Sequence, residues 1–429
     1  MNLREQVEHT PNVFEKLLSP LLSRVREEEA QLPEDPKEKM TLSNFSTVMV
    51  YGILKGYLGL RRIEKGVESA PPELGLPNAP RSTLAEAFRR FSPLSFQRLF
   101  RALLHSGTLL SVPEMNELGL LYCVDGSFFP ALAHMFWAQW KENVHALKLH
   151  LAFEVNRMIP VQFLLTEGKA NEKKVLLKMA QAGVTYILDR GYFAFYLLQD
   201  LIAQGAFFSV RTREDLCYTI LSALPITIPP SVRHLFANLT DQLIRCPNDP
   251  SNDTYRLITF ECRNTAFFIL TNRTDLTTFQ IILLYAYRWQ IELLFRFLKR
   301  TMGALHLFNP SGLSPPGRSL SQEGLSTQFY LFLITAILEL KLKQDAAKTI
   351  EAPQHNSASE DSQPDLPEKP HPSAFEQKEN SWTSPVTFLQ TIGEKLHTYW
   401  KLSIYWRDTL RDLLARPYDH HAVFLLGST

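Results

Sequence analysis

What the chain has little of narrows it first. Its four cysteines, Cys123, Cys217, Cys246 and Cys262, form no Cys-x-x-Cys pair and have no histidine at zinc-ligand spacing, which argues against a zinc knuckle or a disulfide framework. Reduced thiols in a cytosol are the expectation. The longest apolar run, Phe329 to Leu338, is broken by Thr335 and too short to span a bilayer. The first fifteen residues are polar and charged, unlike a signal peptide. No membrane partner is expected, and the reading is of a soluble, cytoplasmic protein. Neither sign of charge dominates: 45 Lys and Arg face 44 Asp and Glu, a net +1. That balance hides an asymmetry. The stretch from Gln344 to Ser381 holds eight acidic and three basic residues, so the remainder carries a modest basic excess. His420 and His421 are adjacent and would project differently from a helix, which argues against a shared metal.

At 429 residues with 45% hydrophobic and 21% charged composition, the chain has room for two or three globular domains. Residues 1–115 read as helical, with Pro33, Pro36, Pro71, Pro72, Pro77 and Pro80 separating the segments. Within them Leu84 to Leu104 reads as one amphipathic helix, capped by Ser82 or Thr83 and carrying Arg89, Arg90, Arg98 and Arg101; these arginines suit phosphates or a solvated face. From residue 116 to 211 the period changes. Leu120 to Val124, Leu147 to Val155, Pro160 to Leu165, Val184 to Leu188 and Ala206 to Val210 are short apolar runs that read as buried strands, with helices at Glu172 to Ala182 and Ala194 to Gln204. Three strands followed by strand–helix alternation define a mixed α/β sheet. Residues 212–274 read as a β-rich insertion, with strands at Thr254 to Glu261 and Thr265 to Thr271. Residues 275–343 return to the core, opening on a helix with Asp275 as the expected N-cap. Residues 344–384 have the composition of a disordered linker, and 385–429 regain helical periodicity.

The helix after the insertion carries the strongest signal. Tyr285, Arg288, Glu292 and Lys299 are spaced by three, four and seven, which places them within an arc of roughly 60° over about 21 Å of helix. Leu284, Ile291, Leu294, Phe295 and Leu298 form the adjoining apolar stripe, and Arg296 and Arg300 widen the basic side. A phenol, a guanidinium, a carboxylate and an ammonium on one face suit a metal beside a phosphodiester. A surface helix laced with ion pairs is the competing account.

Two aspartates end two of the expected strands: Asp125 in Tyr122-Cys123-Val124-Asp125-Gly126-Ser127 and Asp189 in Ile187-Leu188-Asp189-Arg190-Gly191-Tyr192. Each also reads as a turn or capping residue. With Glu292 they make three carboxylates, the inventory of two-metal phosphoryl transfer, in which oxygen ligands hold Mg²⁺ ions about 3.5–4 Å apart. Arg190, Arg211 and Arg213 are placed to guide DNA or to occupy solvated turns.

In these motifs the chain resembles the DDE transposases of bacterial insertion sequences, in the group with the Tyr-Arg-Glu-Lys signature. The resemblance rests on the Asp-Gly-Ser and Asp-Arg-Gly-Tyr segments and on Tyr285 together with Tyr287-Arg288-Trp289-Gln290-Ile291-Glu292, Phe295 and Lys299, and it covers roughly Ser82 to Leu342. It implies an RNase H-like catalytic core with a β-rich insertion, flanked by N-terminal and C-terminal helical modules. It implies Asp125, Asp189 and Glu292 as the catalytic, metal-binding triad for two Mg²⁺ ions, with Mn²⁺ able to substitute. Tyr285, Arg288 and Lys299 would contact the DNA ends, with Arg190, Arg296 and Arg300 adding basic contacts. The implied reaction cuts double-stranded DNA at terminal inverted repeats and joins the 3′-hydroxyl ends to target DNA, carried out by a homodimer at the bacterial nucleoid. The N-terminal helices would grip the repeat and the C-terminal ones the partner subunit. Relatives that form hairpins support a flipped base on a tryptophan of the insertion, but Arg211 to Thr274 contains none. Phe236, Tyr255 and Phe260 are the remaining aromatics to consider, with core packing as their alternative. An RNase H-like nuclease without strand transfer and a catalytically silent DNA-binding relative are the rival readings.

Overall fold

The computed structural model describes residues 12–33, 38–105, 115, 117–130, 139–141, 144–157, 159–234, 236–262, 265–296, 298–299 and 322–351. Five helices lead: α1 Val13–Glu29, α2 Leu42–Leu54, α3 Leu60–Glu68, α4 Arg81–Arg90 and α5 Pro93–His105. α1 starts on a reciprocal cap in which the Asn12 side chain accepts from the Glu15 N–H and the Glu15 carboxylate accepts from the Asn12 N–H. The single helix expected over Leu84 to Leu104 is two, because Pro93 has no N–H to continue the ladder and starts a new helix instead. α4 begins directly after Pro80, with no side-chain cap from Ser82 or Thr83.

Strands β1 Leu120–Pro130, β2 Gln139–Lys141, β3 Val144–Glu154, β4 Ile159–Glu167, β5 Val184–Leu188 and β6 Phe207–Arg211 are followed by β7 Thr219–Ala223, β8 Ala237–Arg245, β9 Thr254–Cys262 and β10 Thr265–Thr271. They form one large mixed sheet in the order β2-β3-β1-β5-β6-β10-β9-β8-β7, with β4 also on β3. β1, β3 and β4 pair antiparallel, whereas β1, β5 and β6 run parallel. Helices α6 Glu172–Met179 and α7 Phe195–Ala203 precede β5 and β6 and supply the crossovers parallel strands require, and a short helix α8 Pro230–Arg233 lies between β7 and β8. β10 pairs antiparallel with β6, so the β-rich segment continues the sheet rather than standing apart from it.

The sheet has two buried faces. One is covered by α6 and α7, through Val175, Leu176, Leu197 and Leu201. The other joins a cluster reaching from Val13 to Leu342, which takes in the leading helices, α9 Thr278–Tyr287, α10 Trp289–Arg296 and α11 Gln322–Glu351. α11 packs on α1, α2, α5 and β4. It is the one helix among the described residues long and apolar enough to cross a membrane, yet most of that stretch is buried inside the protein. Its Phe329, Ile334, Ile337 and Leu338 are wholly covered, and each such side chain contributes about 1.5–3 kcal/mol by burial.

Several boundaries differ from expectation. β1 runs on to Pro130, paired with β3 throughout, so Asp125 lies within the strand rather than at its end. Thr277, not Asp275, caps α9, in a capping box with Gln280, while Asp275 is held by Arg273 at 2.7 Å. The chain is helical through Glu351, eight residues into the stretch read as a linker. The rest of that stretch, residues 385–429 and His420–His421 lie outside the described residues.

A candidate active site beside two parallel strands

Register brings the two aspartates together. Cys123 of β1 lies opposite Ile187 of β5, and both side chains enter the same apolar cluster. Two residues further along, Asp125 and Asp189 are therefore level on that face, on strands about 4.8 Å apart. Asp125 Oδ1 accepts from the Gly126 N–H at 2.7 Å and Asp189 Oδ1 from the Gly191 N–H at 2.8 Å. Asp189 thereby caps the turn Arg190–Tyr192, whereas Asp125 lies within β1 and the turn reading of its Asp-Gly pair does not hold. Asp125 is pushed up to about 6, first by burial and then by the charges of Asp189 and Glu172, against the stabilising Gly126 N–H and Arg288.

The helical signature meets this pair from the same face. α9 ends at Tyr287, whose carbonyl accepts from Cys123 Sγ at 3.7 Å, and α10 packs on β1. Arg288 stands between the two helices, so the single helix expected through Lys299 is interrupted there. The i,i+4 pair survives the break: Arg288 Nη2 donates to Glu292 Oε1 at 2.7 Å. The guanidinium also lies 5.9 Å from the Tyr285 ring centre. Burial, the largest single effect, lowers its pKa, but hydrogen bonding to Glu292 and the charges of Tyr285, Glu292 and Asp189 together outweigh it and raise the pKa. Arg288 thus feels all three acidic groups. Lys299 follows α10, and its Nζ donates to Ser127 Oγ at 2.7 Å and lies 4.9 Å from the centre of the Phe129 ring. Burial lowers its pKa, and Asp125 opposes the shift.

Not every candidate joins the site. Among the described residues no three His, Cys, Asp or Glu side chains are grouped closely enough to hold a metal ion, and Glu292 is engaged by Arg288. Arg190 is exposed in the turn after Asp189 and Arg213 is exposed beyond β6. Arg211 donates to the Ala266 carbonyl at 3.1 Å and stacks over Phe267 at 4.7 Å. The Arg296 side chain and Arg300 lie outside the described residues. Phe236, Tyr255 and Phe260 are buried, so the core alternative describes them. In the leading helices Arg98 pairs with Glu28, and Arg90 with Glu38 and the Met40 carbonyl; Arg89 and Arg101 are exposed.

The structure adds neighbours that spacing did not single out. Behind Asp125, Lys148 pairs with Glu172, and a Cβ on Gly126 would lie 2.7 Å from Glu172 Oε1, 2.9 Å from Lys148 Cε and 3.4 Å from His150 Nδ1. Glycine is favoured there by close approach to these side-chain ends rather than by backbone angle. His150 is buried and pushed down to about 4 by burial and by Lys148, so its ring is neutral. Thr166 Oγ1 donates to the Glu167 carbonyl and so accepts from His150 Nε2 at 2.8 Å, leaving Nδ1 a bare acceptor. The alternation Leu147-Lys148-Leu149-His150-Leu151 was the available signal, since it sets two polar side chains on one face of a buried strand.

Residues 117–308 match the family described as the transposase DDE domain. That span contains Asp125, Asp189, Glu292 and Lys299. A curated relative named "Putative transposase y4zB", from Sinorhizobium fredii, is 24% identical over 222 residues, 51% of this chain. The match spans 61% of that relative's length. Among solved structures, the piggyBac transposase synaptic complex with hairpin DNA aligns over 81% of this chain and 86% of its own at 9% identity, with a TM-score of 0.34, a likeness too low to bear on the fold.

Proposed function

We propose that the chain is a DNA transposase of the Tyr-Arg-Glu-Lys group that cleaves at the terminal inverted repeats of an insertion sequence and joins the 3′-hydroxyl ends to target DNA. The observation that carries this reading is Arg288, whose guanidinium holds Glu292 at 2.7 Å and interacts electrostatically with both Asp125 and Asp189, residues far apart in sequence. The strand order β4-β3-β1-β5-β6, with three antiparallel and then two parallel partners, supports an RNase H-like core. The transposase DDE match over 117–308 supports the activity.

The donor set fits a hard divalent cation. Asp125, Asp189 and Glu292 offer only oxygen, and Asp125 is held up to about 6 because burial and neighbouring carboxylates leave it short of positive charge. These three residues would hold Mg²⁺, as two ions replaceable by Mn²⁺. Bound there, the ions supply an activated oxygen nucleophile and stabilise the leaving oxygen. The chain's own groups do the rest. Gly126 and Gly191 N–H groups fix one oxygen of each aspartate and so set where the other points. Lys299, steadied by Ser127, and Arg288, over Tyr285, orient the phosphates, while Arg190, Arg296 and Arg300 extend the basic contact along the DNA. Residues 1–115 grip the repeat and 385–429 form the homodimer contact, in a cytoplasmic, nucleoid-associated enzyme.

The test follows a labelled 3′ end. Wild-type protein with Mg²⁺ and DNA carrying the element's ends should yield both a nick and a joined product, and Asp125→Asn neither. A nick without joining would replace this reading with the nuclease one; neither product, with end binding intact, would indicate the silent DNA-binding relative.

A further inference from the structure

Arg288 holds Glu292 and feels the charges of Asp125 and Asp189, so it is already occupied. Its guanidinium holds Glu292 at 2.7 Å, with the two side chains 16% and 32% exposed. Its charge favours the ionised form of Asp125, and Asp189 in turn favours the charged form of Arg288. The cation that offsets the acidic site is thus a protein side chain, and the third carboxylate is tied to it.

We infer that Arg288 is a substrate-operated gate: its guanidinium retains Glu292 until a DNA phosphate takes its place, and the freed carboxylate then joins Asp125 and Asp189 as a metal ligand. This rests on the metal-dependent reading given above. The exchange is chemically matched, because a guanidinium presents the same planar fork to a carboxylate and to a phosphate. A phosphodiester is therefore the direct competitor of Glu292. Arginine does not lose its proton in proteins, so its charge leaves the carboxylates only if the side chain moves. The setting permits this. Arg288 stands at the junction of α9 and α10 rather than inside either, Glu292 is partly exposed, and the Tyr285 ring beside the guanidinium offers a surface along which it can shift. The consequence is a metal site completed only with DNA in place, which limits unproductive hydrolysis by the free enzyme.

Mn²⁺ binding to the full chain, read by loss of the free-ion electron paramagnetic resonance signal with and without short duplex DNA, tests this without any turnover. Mn²⁺ bound by the DNA itself is subtracted using Asp125→Asn with the same duplex. Wild type should bind Mn²⁺ weakly alone and about tenfold more tightly with DNA, a coupling of ordinary size. Arg288→Gln should bind Mn²⁺ about tenfold more tightly than wild type without DNA and gain little when DNA is added. Arg288→Lys, which keeps the charge but loses the fork, should lie between and serves if Arg288→Gln does not fold. Equal Mn²⁺ affinity in wild type and in folded Arg288 variants would overturn the gate. If Asp125→Asn and Asp189→Asn lose Mn²⁺ in that case, the gate alone fails; if they keep it, the metal reading fails as well.

Discussion

Lys299 Nζ donates to Ser127 Oγ at 2.7 Å, joining the last basic residue of the helical signature to the stretch of β1 that carries Asp125. If Lys299 meets a DNA phosphate, Lys299→Ala should weaken binding to the DNA ends and flatten its salt dependence by about one released counterion. Ser127→Ala removes the steadying hydrogen bond but not the charge, so it should weaken binding slightly at an unchanged salt slope. Binding measured across a salt series separates the two. An identical slope for Lys299→Ala and wild type would remove Lys299 from the phosphate contacts.

Asp125→Asn, Asp189→Asn and Glu292→Gln should each abolish Mg²⁺-dependent nicking while leaving end binding visible by gel shift, because each keeps its shape and loses only charge. Full nicking by any one of them would refute that residue's assignment.

Asp125 also makes stability depend on pH. Its carboxyl is raised from 3.8 to about 6 in the folded chain. Below 3.8 both states hold the proton and nothing is lost. Between 3.8 and 6 the unfolded chain releases the proton first, so stability falls as pH rises, and above 6 the loss is complete. Its size is about 3 kcal/mol. Asp125→Asn, which preserves the acceptor for Gly126, should therefore raise the metal-free Tm above pH 6 and leave it nearly unchanged below pH 4. Thermal melts at the two pH values decide the matter, and a uniform shift at both would count against this cause.

The buried pair Arg256–Asp241 ties the β-rich segment to α9. Arg256 donates to both Asp241 oxygens at 2.8 and 2.6 Å and to the carbonyls of Arg273 and Leu276 at 3.2 and 2.5 Å. Thr278, the first residue of α9, donates to Asp241 at 2.7 Å. Asp241→Ala strands a buried guanidinium and should cost about 3–5 kcal/mol by urea denaturation. A loss below about 1 kcal/mol would show that water reaches Arg256.

Gly126→Ala should displace the ends of Glu172 and Lys148 rather than backbone, so its stability cost should be small, about 1 kcal/mol. Thermal melts of Gly126→Ala against wild type check this, and a loss above about 3 kcal/mol would show that the two side chains cannot give way.

The sequence made some of this legible for physical reasons. β5 was read to its exact ends because Val184–Leu188 is buried throughout and appears as an unbroken apolar run. β7 was missed because all five of its residues are exposed and burial imposes no pattern on them. Asp125 and Asp189 stood out as charges ending apolar runs, and the Arg288–Glu292 contact follows from helical spacing. That the aspartates are level with each other is a matter of register between strands some sixty residues apart, which no local pattern encodes. The aromatics Phe236, Tyr255 and Phe260 were ambiguous because ring identity does not reveal which face a strand turns inward.

α11 has a consequence for how the chain is made. The leading helices emerge first from the ribosome, yet the apolar wall that closes their core, Phe329 through Leu342, is synthesised only after the whole sheet. Until then α1, α2 and α5 present an open greasy flank, and a chain truncated before Gln322 would carry that flank permanently, prone to clump rather than to settle.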